Sequence, residues 1–166
     1  MQLWRFLLPS SLGFTLMTAR QALVDKIKGA PPRPVQAAGY VARHASPGDP
    51  AHVLQTLDRF AREERWLMSV GPEKGPLIQE LAGRLPPDAR ILELGAYCGY
   101  SSILIASAFG PQCQVVSVEI NEDSVSSCRT IGEVAGVSEP ISFIHGPSTG
   151  KFAELDGCFD LVFVVR

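Results

Sequence analysis

The sequence predicts an α/β domain built on a parallel, doubly wound sheet. After residue 90, short runs rich in Val, Ile and Leu alternate with helical stretches of about ten residues, the pattern of βαβ units. A Gly95-Ala-Tyr-Cys-Gly99 turn joins the first such strand to its helix, at the sheet edge where open α/β folds bind ligands. Glu119 ends the second strand, 24 residues after Gly95.

Composition permits this fold and excludes others. The chain has 166 residues, a formal charge of −2, 46% hydrophobic residues and 19% charged residues. One domain of about 150 residues with a single core fits that length. A disordered chain and a strongly basic nucleic-acid binder do not fit that composition. Charge is unevenly spread. Arg5, Arg20, Lys26, Lys28, Arg33 and Arg43 face Asp25 alone in residues 1–48, giving +5 there and −7 in the remainder.

Residues 1–34 read as an apolar and basic leader with a proline-rich linker, and residues 35–166 as the domain. Leu3, Trp4, Phe6, Leu7, Leu8, Leu12, Phe14, Leu16 and Met17 make the first 17 residues apolar. Arg5 and Pro9 interrupt the run, which is shorter than the roughly 18 apolar residues a membrane span requires. An interfacial anchor, a weak signal segment and a poorly ordered leader all stay open. The prolines of Gly29-Ala-Pro-Pro-Arg-Pro34 end any helix reaching them.

In the domain, residues 35–45 have helical spacing. Asp49 is an N-cap with Pro50 at the first helical position, and a helix is expected over 51–70. Its apolar stripe is Val53, Leu54, Leu57, Phe60 and Ala61, extended by Trp66 and Leu67. Gly71-Pro72 stops it, and residues 74–85 form a further helix that ends at Pro86-Pro87. Strands follow at 90–94, 114–120, 141–145 and 159–165, with helices at 101–109, 122–135 and 148–155.

Four cysteines at 98, 113, 128 and 158 form no CxxC pair and stand with no His cluster, so zinc is not expected and reduced thiols in or near an intracellular core are. His44, His52 and His145 are isolated, and Lys74 reads as a solvated charge. GxxxG spacing is not the GxGxxG that cradles a dinucleotide pyrophosphate, which argues against a dinucleotide-dependent oxidoreductase. A glycine turn with a carboxylate at the end of the next strand points instead to a nucleoside with a small charged tail, because that carboxylate can accept both ribose hydroxyls.

The wording is more specific than the pattern. ILELGAYCGYSS, VSVEIN, AGV, GDPAHVLQTLD and ERWLMSVGPEKG closely resemble the catechol O-methyltransferase family, from about residue 44 to the C-terminus. The resemblance implies a Rossmann-like class I methyltransferase fold. It also implies methyl transfer from S-adenosylmethionine to a catechol hydroxyl of catecholamine type, with Mg²⁺ holding both catechol oxygens. Met68, Ser69 and Val70 match the segment beside the methionine end of the cofactor. Glu93, Gly95, Tyr97, Tyr100 and Ser101 match its loop, and Glu119 and Ile120 match the ribose carboxylate and its adenine-packing neighbour. Ser148 matches a serine near the adenine, and Trp66 the aromatic wall beside the catechol. Without the resemblance, Trp66 and Met68 read as core, Tyr97 and Tyr100 as packing aromatics, and Ser148 as a helix cap.

This sequence also departs from the family. Ser69 stands where Asn is usual, Thr149 where Gln is common and Pro147 where Ala is common. Val165 takes the place of the first Mg²⁺-binding Asp, and the Lys base, the Asp-Asn pair and the later Glu have no counterpart. Asp160 starts the fourth strand, at the opposite sheet edge. No catalytic and no metal-ligating residue is therefore assigned. The expectation is the N-terminal, cofactor-binding part of the domain, with four strands present, later strands missing and no catalysis by this chain alone. A non-catalytic cofactor-binding fragment and a membrane-recruited regulatory one are the alternatives. In the family's strand order, 3-2-1-4-5-7-6, the fourth strand would be an exposed edge here, prone to self-association. The expected location is cytoplasmic, with membrane association through the leader.

Overall fold

The computed structural model describes residues 29–151, 155 and 157–165. The apolar run at 1–17 lies outside them, and the compact unit begins at Arg33. Helix α1 (Arg33–His44) starts at the linker's last proline pair and buries Pro34, Ala37, Ala38 and Val41. Asp49 caps α2 (Pro50–Glu63), its side chain accepting the His52 N–H at 3.0 Å. Val53, Leu57 and Phe60 form its buried stripe.

Helix α2 ends at Glu63, well short of the expected residue 70. The N–H groups of Glu64 and Arg65 both reach the Phe60 carbonyl at 3.0 Å, which widens the last turn. Beyond it the backbone finds a tertiary partner in place of a helical one: Arg33 Nη1 donates to the Trp66 carbonyl at 3.3 Å. Leu67 is buried, while Trp66 and Met68 are 37% and 47% exposed, so neither joins the core. The helix expected over 74–85 is a 3₁₀ turn (Pro72–Lys74) followed by α3 (Gly75–Ala82).

Four parallel strands form the sheet: β1 (Arg90–Leu94), β2 (Gln114–Glu119), β3 (Ile141–His145) and β4 (Leu161–Val164). Helix α4 (Tyr100–Phe109) joins β1 to β2, and α5 (Glu122–Ala135) joins β2 to β3. A short α6 (Ser148–Lys151) follows β3. The order is β3-β2-β1-β4. The chain winds outward from β1 through β2 to β3, then returns to the other side of β1, which puts a switch point between β1 and β4.

Register assigns the faces. Ile91 pairs with Val115 and Leu161, Glu93 with Ser117 and Phe163, and Val115 with Ile141. That face meets α4 and α5 and carries the core. Helix α4 is buried from Tyr100 through Ala106, as a helix apolar all round must be. Val162 and Val164 point the other way and are exposed on β4, which with β3 is one of the two outer strands among the described residues. Gly136, at φ +72°, closes α5 against the α1–α2 turn, where a Cβ would meet Gly48 Cα at 3.1 Å. Cys98, Cys113 and Cys128 are buried free thiols, but Cys158 is exposed, since it sits in the turn before β4.

Candidate functional site

The carboxyl ends of β1, β2 and β4 surround a pocket of about 420 Å³. Leu94 and Gly95 line it from β1, Val118, Glu119 and Ile120 from β2, and Val164 and Val165 from β4. Gly146, Pro147, Ser148 and Thr149 close it beyond β3. Gly95 has φ +94°, and a Cβ there would meet the Val165 carbonyl oxygen at 3.0 Å. A side chain at this position would be strained by that φ and would press on the Val165 carbonyl, which favours glycine.

The loop after Gly95 is held under strain. Tyr97 has φ +52°, an unusual conformation for a bulky residue. Its N–H donates to Glu119 Oε2 at 2.9 Å, and its carbonyl accepts the Cys128 thiol at 3.5 Å. The other carboxylate oxygen, Glu119 Oε1, accepts the Asn121 N–H at 2.9 Å. One nearly buried carboxylate thus ties together the first and second loops of the sheet. Each oxygen has used one acceptor site and keeps lone-pair capacity for a ligand hydroxyl. Burial raises the Tyr97 phenol above its ordinary value, and the Arg33 guanidinium opposes that.

Glu93 lies beneath the loop rather than in the pocket. It is 0% exposed, and its Oε2 accepts the hydroxyls of Ser102 and Ser117. Its Oε1 is buried with no partner. Burial raises its pKa, the Ser101, Ser102 and Ser117 hydroxyls pull it down, and nearby Glu119 adds a further upward push. Ser101 belongs to this buried group. Tyr100 also turns away from the pocket: its hydroxyl donates to Asp58 Oδ2 on α2 at 3.3 Å. Burial raises the Asp58 carboxyl as well. The Cys98 thiol is pushed up to about 12 by burial, which leaves it protonated and a poor nucleophile.

The structure therefore brings Gly95, Glu119, Ile120 and Ser148 to one pocket, with Tyr97 bonded to its carboxylate and Met68 outside the pocket lining. Ser69 and Val70 follow Met68, half-buried and outside the pocket lining, and Trp66 is separate from it. Gly146 and Val118 complete the walls, and a glycine directly after the third strand was their available signal. Ser102, Ser117 and Asp58 support the loop from behind. A glutamate inside the apolar strand RILEL demanded such partners, though only register identifies them.

The residues present fit an adenosyl cofactor: a carboxylate with spare acceptor sites, a lining position that favours glycine, and an exposed apolar Ile120 at the wall. They do not fit a Mg²⁺ site. Val164 and Val165 end β4 without side-chain oxygen, and among the described residues no three His, Cys, Asp or Glu gather for a metal ion. Asp160 starts at the other end of the sheet, where its Oδ2 accepts the Arg90 N–H at 2.8 Å.

A family model described as O-methyltransferase matches residues 44–165. Catechol O-methyltransferase B of Danio rerio is 35% identical over 137 residues, which cover 80% of this chain and 52% of that protein. A transmembrane O-methyltransferase homolog of Mus musculus is 39% identical over 114 residues, 68% of this chain and 44% of that protein. The O-methyltransferase TomG of Streptomyces achromogenes, involved in tomaymycin synthesis and solved in complex with S-adenosylmethionine, superposes with a TM-score of 0.59 at 30% identity. That match covers 69% of this chain and 53% of TomG. The chain spans about half the length of these relatives.

Proposed function

Since the chain belongs to the O-methyltransferase family, we propose that its pocket holds S-adenosylmethionine and that the whole protein methylates a catechol hydroxyl. The observation that carries this is Glu119: a carboxylate at the end of β2 that lines the pocket and anchors the strained Tyr97 loop. When bound, the cofactor supplies a methyl group on a sulfonium centre. The chain's own residues bind and orient it. Glu119 accepts the ribose hydroxyls with its remaining lone pairs. Ile120 offers an apolar surface to the flat base, and Ser148 stands at the wall beyond β3. Gly95 lets the ligand lie against the backbone, and the Tyr97 N–H on Glu119 holds the loop that follows it.

Methylation of a catechol would need a hard cation to lower the hydroxyl's pKa and a separate base to take its proton. Val165 supplies neither, so the 166 residues are proposed to bind cofactor without turning over a catechol by themselves. Equilibrium binding of labelled S-adenosylmethionine, followed by incubation with Mg²⁺ and a catechol, tests both halves. Saturable binding without methyl transfer is expected. Absence of binding overturns the first half, and robust turnover overturns the second.

A membrane role is a second reading, favoured by the apolar, basic start of the chain and by the transmembrane name of a relative. No helix among the described residues is long and apolar enough to cross a membrane. Cytoplasmic placement with interfacial anchoring through residues 1–17 is proposed. Deleting those residues should reduce partition onto vesicles, and unchanged partition removes the anchor.

A further inference from the structure

His145 occupies the last position of β3, in register with Glu119 on β2. Its Nε2 lies 3.0 Å from the Ile120 carbonyl oxygen. A carbonyl only accepts, so Nε2 carries the hydrogen and the ring donates. The next residue, Gly146, donates its N–H to the Glu119 carbonyl at 2.9 Å. The last residue of the β3 ladder and the residue after it thus bind the carbonyls of Ile120 and Glu119, two of the residues that line the pocket on the β2 side.

Ile120 needs that support. Its side chain is 69% exposed, so core packing does not fix it. Its peptide is held on the inner side by Asn121 N–H on Glu119 Oε1 and on the outer side by His145. We infer that His145 is a positioning residue for the nucleoside end of the cofactor: its imidazole fixes the Ile120 carbonyl and, through it, the apolar wall that meets the base. The inference rests on the S-adenosylmethionine reading and adds a residue to it. Holding the wall before the ligand arrives removes an ordering cost from binding.

The test titrates the full 166-residue chain with S-adenosylhomocysteine and with 5′-methylthioadenosine, which keeps the nucleoside but lacks the amino acid. His145→Val should weaken both ligands by the same factor, about three- to tenfold, as expected for one lost hydrogen bond. His145→Gln, which retains an N–H donor, should stay within about twofold of wild type. Both variants should melt with the wild-type chain. Nitrogen-15 NMR of the free protein should show the His145 ring protonated at Nε2. Equal binding by wild type and His145→Val, or a bare Nε2, overturns the role of His145 alone. If the wild-type chain binds neither ligand, the cofactor reading fails and this role falls with it.

Discussion

At Gly95, backbone conformation and pocket access are one property. A Cβ there would meet the Val165 carbonyl at 3.0 Å from a φ that side chains rarely adopt. Gly95→Ala should therefore cost more than about 1 kcal/mol of stability and abolish cofactor binding, as read by denaturant melts and ligand titration. Unchanged melting would show that the loop relaxes freely. Glu93 makes a different prediction, through pH. Burial raises its folded pKa above the ordinary 4.5. The folded state then binds more protons than the unfolded state from about pH 4.5 upward, so the Glu93 contribution is fully present below 4.5 and is lost as pH rises through the folded value. Glu93→Gln cannot ionise, so its stability relative to wild type should improve as pH rises. A constant difference across that range would mean that Glu93 stays charged in the fold.

The elements divide into those legible in the sequence and those fixed from afar. The parallel sheet is legible because Val- and Ile-rich runs alternate with helices and because Gly95 and Gly99 mark the first loop. Helix α2 is not legible at its end. The group that takes up the Trp66 carbonyl, the Arg33 guanidinium, lies 33 residues earlier in the chain. The Tyr100–Asp58 bond is hidden for the same reason: the sequence places both residues on helices and says nothing of which faces meet. Tyr100→Phe should lower unfolding free energy by about 1 kcal/mol and leave cofactor affinity nearly unchanged. A large loss of affinity at constant stability would instead place Tyr100 in the pocket. On β4, exposed Val162 and Val164 border an unpaired edge among the described residues. The chain is expected to self-associate, and Val162→Lys with Val164→Lys should suppress this in sedimentation runs. A wild-type monomer at every concentration would contradict it.

For the whole molecule, the sequence predicts the parallel sheet and the ligand-binding position of its first loop, and the structure adds how the pocket at the strand ends is braced. Glu119 was legible from its place at a strand end. Its backbone ties to Tyr97 and Asn121 were not, because they depend on a strained loop conformation that no residue type announces. The chain covers about half of the length of the relatives it matches, and the pocket on Glu119 lies within that half. The most direct measurement is calorimetric titration of S-adenosylhomocysteine into the wild-type chain and into Glu119→Ala. Wild type should bind at one site, and Glu119→Ala should bind at least about tenfold more weakly, because two charge-assisted hydrogen bonds to the ribose are lost. Equal affinity in the two proteins, or no binding to wild type, would contradict a nucleoside site built on Glu119.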